Sequence, residues 1–174
     1  ERQAIETGDF LGMLPAVGPG PHAPGRLAGG ALVGPWRLLH EIGQGGMSTV
    51  WLAERADAQV KRQVALKLPH AGPGQDLLAA RLLRERDILA ALEHRNIARL
   101  YDVGVSDAVT PYLVMEYVPG TDLLSHADAR RLTMPQRLVL FQQVLRAVQY
   151  AHGKLVLHRD LKPSNILVNE AGDV

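Results

Sequence analysis

Cysteine is absent from this 174-residue chain, which excludes disulfides and thiolate zinc sites. Its seven histidines show no H-E-x-x-H spacing, so the helical zinc-hydrolase pattern is missing too. No apolar run approaches the roughly 20 residues of a membrane span. Acidic and basic residues nearly cancel at a net charge of +1, leaving no basic excess that would point to a nucleic-acid partner. No internal repeat is visible. The remaining composition, 47% hydrophobic and 21% charged, is that of a soluble globular chain.

Residues 1–34 differ from the rest. Pro15, Pro19, Pro21 and Pro24, with Gly18, Gly20, Gly25, Gly29 and Gly30, interrupt any periodicity, as in a flexible linker. A short helix over residues 5–14 would present Phe10, Leu11 and Leu14 as a docking patch. The chain begins at Glu1, so its native N-terminus and any targeting signal are expected to be absent.

The densest chemistry lies at His158-Arg159-Asp160-Leu161-Lys162-Pro163-Ser164-Asn165. Asp160 can accept or orient a proton, Lys162 can neutralise anionic oxygen, and Asn165 can offer a carbonyl oxygen to a metal. Pro163 disfavours a helical conformation at Lys162, so a loop with converging side chains is predicted. Upstream, Ile42-Gly43-Gln44-Gly45-Gly46-Met47-Ser48-Thr49-Val50 reads as strand, glycine-rich turn and strand. Glycines there let backbone N–H groups approach phosphate oxygens closely. A strand on both sides argues against Rossmann and Walker loops, which run from a strand into a helix.

The segment Arg62-Gln63-Val64-Ala65-Leu66-Lys67-Leu68-Pro69 suits a short strand. Lys67 could simply be a strand-edge lysine reaching solvent. Over 75–92, Leu78, Leu82, Leu89 and Leu92 form one helical stripe, and Glu85 falls on it. A carboxylate on an apolar face is costly unless paired, and Lys67 is the natural cation. Arg81, Arg84, Arg86 and Asp87 fall off the stripe, as a solvated face would. Further on, His94-Arg95-Asn96-Ile97 leads into a strand over 98–105, with His94 as a packing or capping residue. Residues 111–120 read as a buried strand running into a Pro119-Gly120 break. A last helix opens at Thr133-Met134-Pro135-Gln136 with a capping box, carries Leu138, Phe141, Leu145 and Val148 as its apolar stripe, and closes at Gly153. Leu155-Val156-Leu157 reads as strand or buried extended chain.

In their order these motifs resemble those of eukaryotic-like (Hanks-type) serine/threonine protein kinases, bacterial in flavour. The octet resembles H-R-D-L-x-x-x-N, the glycine turn resembles G-x-G-x-x-G-x-V with Ser48 in place of the third glycine, and Val64-Ala65-Leu66-Lys67 resembles V-A-I-K. His94 to Ile97 resembles H-P-N-I, with Arg95 in place of proline. The resemblance implies an α+β, bilobal kinase fold. It divides the chain into a linker (1–34), a β-rich N-lobe with one main helix and the hinge (35–118), and a partial helical C-lobe (119–174).

It further implies an ATP site formed by Ile42, Gly43, Gln44, Gly45, Gly46, Met47, Ser48, Val50, Ala65, Lys67, Met115, Glu116, Val118, Asp122 and Leu167. Within it, Met115 would be the gatekeeper, the backbones of Glu116 and Val118 would meet the adenine edge, and Asp122 would meet the ribose. Asp160, Lys162, Lys67 and Glu85 would be catalytic, Asn165 would hold Mg2+, and Arg159 would hint at control by activation-loop phosphorylation. The expected activity is transfer of the ATP γ-phosphate to a Ser/Thr hydroxyl of a protein substrate, in the cytoplasm or at the cytoplasmic side of a membrane.

In the family a D-F-G motif follows the returning strand that starts near Val174, and the 174 residues do not reach it. The chain therefore reads as a fragment, expected to be inactive by itself. The alternative is a nucleotide-binding or regulatory interaction module without catalysis. A small-molecule kinase fits the Lys162-Pro163-x-Asn165 wording less well.

Overall fold

Alternation along residues 63–69 sets the architecture. Successive strand side chains point to opposite faces, so Val64, Leu66 and Leu68 enter one apolar core while Ala65 and Lys67 face the other way. The computed structural model describes residues 27–45, 48–57, 62–70, 86, 90–106, 111–158 and 161–174. Most of the helix predicted over 75–92, with Glu85, lies outside these residues. So do Gly46, Met47, Arg159, Asp160 and the segment 5–14.

The described strands are β1 (Leu32–Val33), β2 (Trp36–Gln44), β3 (Ser48–Arg55), β4 (Gln63–Pro69), β5 (Leu100–Val105), β6 (Pro111–Glu116), β7 (Gly120–Asp122) and β8 (Leu167–Asn169). The described helices are α1 (Leu123–Ala129) and α2 (Met134–Gly153), with a 3-10 turn at Pro163–Asn165. Strands β1 to β6 form one antiparallel sheet in the order β1-β2-β3-β4-β6-β5, and β7 pairs with β8. An α+β architecture results, with a sheet-rich first part followed by helices. β1 falls within the stretch whose composition resembles a linker, and it is tied to β2 through Leu32↔Arg37 and Val33↔Trp36.

One face of the sheet is closed by Trp36, Leu38, Trp51, Ala53, Val64, Leu66, Leu68, Tyr112 and Val114. Each large member contributes on the order of 1.5–3 kcal/mol by leaving water. Gly34 and Gly104 let the sheet curl around Tyr112. A Cβ at Gly34, beside β1, would lie 2.5 Å from the Tyr112 hydroxyl, although β1 and β6 are far apart in strand order. At Gly104, the β5 partner of Tyr112, a Cβ would lie 2.2 Å from the ring. Gly104→Ala is therefore expected to cost about 1–3 kcal/mol by overpacking. Urea unfolding would read this as a lower midpoint at an unchanged slope.

The capping box predicted at Thr133 is present: its N–H donates to Gln136 Oε1 at 2.8 Å, with Pro135 in the first turn, and Gly153 is the last helical residue. The predicted buried stripe of α2 needs correcting. Leu138, Phe141 and Leu145 are 53%, 49% and 51% exposed, and the buried face is Leu140, Val144, Ala147 and Ala151. Both sets satisfy helical spacing, because Leu138-Val139-Leu140-Phe141 makes this end of the helix apolar all round. Leu155-Val156-Leu157, expected as strand or buried extended chain, forms no strand and is buried only at Val156. Leu155 takes a positive φ of 62° and is 85% exposed, while Val156 alone turns inward against Leu92 and Ala151.

Candidate active site

The glycine-rich turn is a hairpin between β2 and β3, paired at Gly43↔Val50 and Gln44↔Thr49 and closed by the Gly45 N–H donating to Ser48 O at 2.9 Å. A register shift between Glu41 and Gly43 bends the strand just before the tip. Ile42, Gly43 and Val50 line a cavity of about 790 Å³ beneath it. Ser48 and Thr49 are buried, and the Thr49 hydroxyl lies 3.0 Å from His70 Nε2 at the end of β4.

On β4, Ala65 lines the same cavity and Lys67 follows on the same face. Lys67 is 2% exposed and paired with Val50 on one side and Leu113 on the other, so it is no strand-edge lysine reaching solvent. A buried ammonium demands compensating charge. That is the demand the expected pairing with Glu85 would meet, although Glu85 lies outside the described residues.

The cavity continues along the end of β6, where Met115 stands beside Ala65 and is followed by Glu116, Tyr117 and Val118. The Glu116 N–H donates to Arg99 O at 2.8 Å, and Glu116 Oε2 accepts from the Arg99 N–H at 3.2 Å. With the N–H occupied, the carbonyl is the backbone group Glu116 can offer a ligand.

The small β7–β8 ribbon forms the floor. It pairs Asp122 with Leu167 and Gly120 with Asn169, and Leu167 faces the cavity. Asp122 itself caps α1: its Oδ1 accepts from the Leu124 and Ser125 N–H groups at 3.1 and 3.0 Å. Hydrogen bonds from Ser125, side chain first and then backbone, hold this carboxyl below the usual carboxylate range. Asp122→Ala should cost about 1 kcal/mol, as lost caps do. A depressed pKa stabilises the fold above the unfolded value, and the gain is lost as pH falls through the folded value. The melting difference between parent and variant should therefore be full at neutral pH and vanish in acid, which thermal melts across a pH series would read.

Lys162 is extended at φ −145° and ψ 158°, as Pro163 requires, and it starts the 3-10 turn that ends at Asn165. The Asn165 N–H donates to Lys162 O at 2.9 Å, and Asn165 reaches the cavity wall while Lys162 stays exposed. An amide oxygen suits the hard-oxygen preference of Mg2+, so Asn165 fits one ligand position. Among the described residues no group of three His, Cys, Asp or Glu could complete a metal site.

The cavity therefore gathers Ile42, Gly43, Val50, Ala65, Met115, Glu116, Val118, Asn165 and Leu167 from segments far apart in sequence. Gln44, Gly45, Ser48, Lys67, Asp122 and Lys162 stand around it without lining it. Gly46, Met47, Glu85 and Asp160 are outside the described residues. Sequence reasoning missed Asn96 and Gln143. The Asn96 Nδ2 donates to Gln143 Oε1 at 3.1 Å and to Val174 O at 2.6 Å, and Asn96 and Val174 line the cavity with Gln143 behind them. The available signal was a polar side chain three residues from Leu140, beside a buried helix face. His94 does serve packing and the turn: its ring lies 5.1 Å from that of Tyr150, and its Nδ1 accepts from the Asn96 N–H at 3.1 Å.

Comparison with known proteins agrees with this geometry. Residues 36–174 match the model of the protein kinase domain. The chain is 36% identical over 150 residues to the serine/threonine-protein kinase PrkC of Bacillus subtilis, covering 85% of this chain and 23% of that protein. It is 38% identical over 160 residues to the serine/threonine-protein kinase PksC of Streptomyces coelicolor, covering 86% of this chain and 28% of that one. It thus spans about a quarter of the length of these relatives. The crystal structure of the Mycobacterium tuberculosis PknI kinase domain superposes with a TM-score of 0.66 at 28% identity, over 84% of this chain and 59% of that one. With the family model matched from Trp36 at the start of β2 through the sheet to Val174, the chain belongs to the protein kinase domain family, among serine/threonine protein kinases.

Proposed function

We propose that this chain provides the nucleotide site and catalytic loop of a kinase that moves the ATP γ-phosphate to a Ser or Thr hydroxyl of a protein. The observation carrying this reading is the meeting of Ile42, Val50, Ala65, Met115, Asn165 and Leu167 on one cavity. Adenine lies between Ile42, Val50 and Ala65 above and Leu167 below, with the Glu116 carbonyl and the Val118 backbone at its edge. Asp122 uses the oxygen not engaged by Leu124 and Ser125 for the ribose. The hairpin between β2 and β3, from Gly43 to Ser48, covers the phosphates, a role the resemblance also gives to Gly46 and Met47. Lys67, paired with Glu85, holds the α- and β-phosphates.

Asn165 would hold Mg2+ through its amide oxygen, and the ion would supply charge neutralisation on the phosphate oxygens. Asp160 orients the substrate hydroxyl and takes its proton as oxygen bonds to the γ-phosphorus. The bond to the β–γ bridging oxygen breaks, ADP leaves, and Lys162 stabilises the transferring group.

Among the described residues no helix is long and apolar enough to cross a membrane. We place the site in the cytoplasm or on the cytoplasmic side of a membrane, where ATP is supplied. Incubating the full-length protein and its Asp160→Asn variant with γ-labelled ATP and a Ser/Thr protein substrate tests the reading. Label in the parent alone supports it. Nucleotide binding without label in either would favour a non-catalytic module.

A further inference from the structure

Behind the proposed nucleotide site, Gln143 of α2 reaches two segments that are remote in sequence. Its Oε1 accepts from Asn96 Nδ2 at 3.1 Å and from the Val174 N–H at 3.1 Å, while its Nε2 donates to Gly172 O at 3.2 Å. The amide orientation is fixed by these partners, because a flipped carboxamide would set donors against donors and oxygen against oxygen. Asn96 closes the triangle by donating to Val174 O.

Each segment is tied onward to a group assigned to the site. On one side, the loop 93–97 follows the stretch that carries Glu85, and it is pinned to α2 by the Glu93 N–H donating to the Tyr150 hydroxyl at 3.2 Å. On the other, the turn after β8 is clamped by the Asp173 N–H to Asn169 Oδ1 at 2.9 Å and the Asn169 N–H to Asp173 O at 3.0 Å. β8 begins two residues after Asn165. The Arg95–Asp173 ion pair at 3.1 Å spans the same gap but is exposed, so it adds little.

We infer that Gln143 is a positioning residue that locks the loop 93–97 to the turn 169–174, keeping the Lys67–Glu85 side and the Asn165 side of the site in register. The inference rests on the kinase reading for its catalytic meaning, while the lock itself is a property of the fold. Losing the carboxamide leaves the Val174 N–H and the Asn96 amide without their shared acceptor, and only those two segments should loosen.

Hydrogen exchange and ADP binding, with and without Mg2+, on the full-length protein and its Gln143→Leu and Gln143→Glu variants test this. In Gln143→Leu, amides of 94–97 and 172–174 should exchange about tenfold faster together, with β2 to β4 unchanged. Metal-free ADP affinity should stay within about twofold, while the gain in affinity on adding Mg2+ falls about fivefold or more. Gln143→Glu keeps the acceptor for Asn96 and Val174 but sets a carboxylate oxygen against Gly172 O, so it should fall between parent and Leu in both readouts. Faster exchange throughout the sheet, a response in one segment alone, or an unchanged Mg2+ gain would overturn the inference. If the parent protein binds no ADP, the nucleotide reading falls, and the paired exchange response still decides whether the lock exists.

Discussion

Replacing Lys67 by methionine is expected to lower phosphate transfer by about two to three orders of magnitude, the usual loss when one group aimed at developing charge is removed. Metal-free nucleotide affinity should change by less than about tenfold, because adenine contacts dominate the apolar part of the site. The expectation follows from placement: Lys67 is buried at the centre of the sheet, between Val50 and Leu113, on the face that also carries Ala65. A methionine fills similar space, so the charge is what is lost. The partner left in the interior should also lower stability, by about 3–5 kcal/mol if it stays ionised. Kinetics of label transfer, beside a melting curve under the same conditions, separate the two effects. Transfer within about threefold of the parent would remove Lys67 from the site.

Ala65→Phe should do the opposite, abolishing nucleotide binding with little cost to the fold. Ala65 lines the cavity opposite Leu52 in the β3 register and beside Met115. A phenyl ring there has the cavity to enter, so overpacking against the sheet is avoided while the adenine slot is filled. Affinity for ADP is expected to fall by at least about a hundredfold through this steric exclusion, with stability within about 1 kcal/mol of the parent. Calorimetric titration with ADP reads the first effect and thermal unfolding the second. ADP bound as tightly by the variant would show that adenine sits elsewhere.

The sheet was legible because its signals are local. β2, the glycine turn, β3 and β4 were each readable from alternation and turn chemistry, and so was the strand that ends at Met115-Glu116. The glutamate on an apolar stripe called for a buried or cleft-facing cation, and Lys67 is buried, while Glu85 lies outside the described residues. The face of α2 was not legible. The stripe through Leu138 and Phe141 and the one through Leu140 and Val144 fit the same period, and only tertiary packing chooses between them.

The cap role of Asp122 was hidden for a different reason. Its position before Leu123 matches an N-cap as well as a ribose contact, and the resemblance drew attention to the second. Pairing of β7 with β8 joins residues far apart in sequence through three-residue strands, too short for any periodic pattern. Gln143 escaped because a single polar side chain in a helix is usually just solvated. Its three hydrogen bonds become visible only when the loop at Asn96 and the turn at Gly172 are brought to it.

In the proposed function the cavity beneath the glycine turn binds ATP so that Asp160 can direct a hydroxyl to the γ-phosphate. Transfer of γ-label to Ser and Thr by the full-length protein, against its Asp160→Asn variant at saturating ATP, tests this most directly. Incorporation is expected in the parent, with a fall of at least about a hundredfold in the variant and ADP affinity kept within about threefold. Equal incorporation in parent and variant would contradict it.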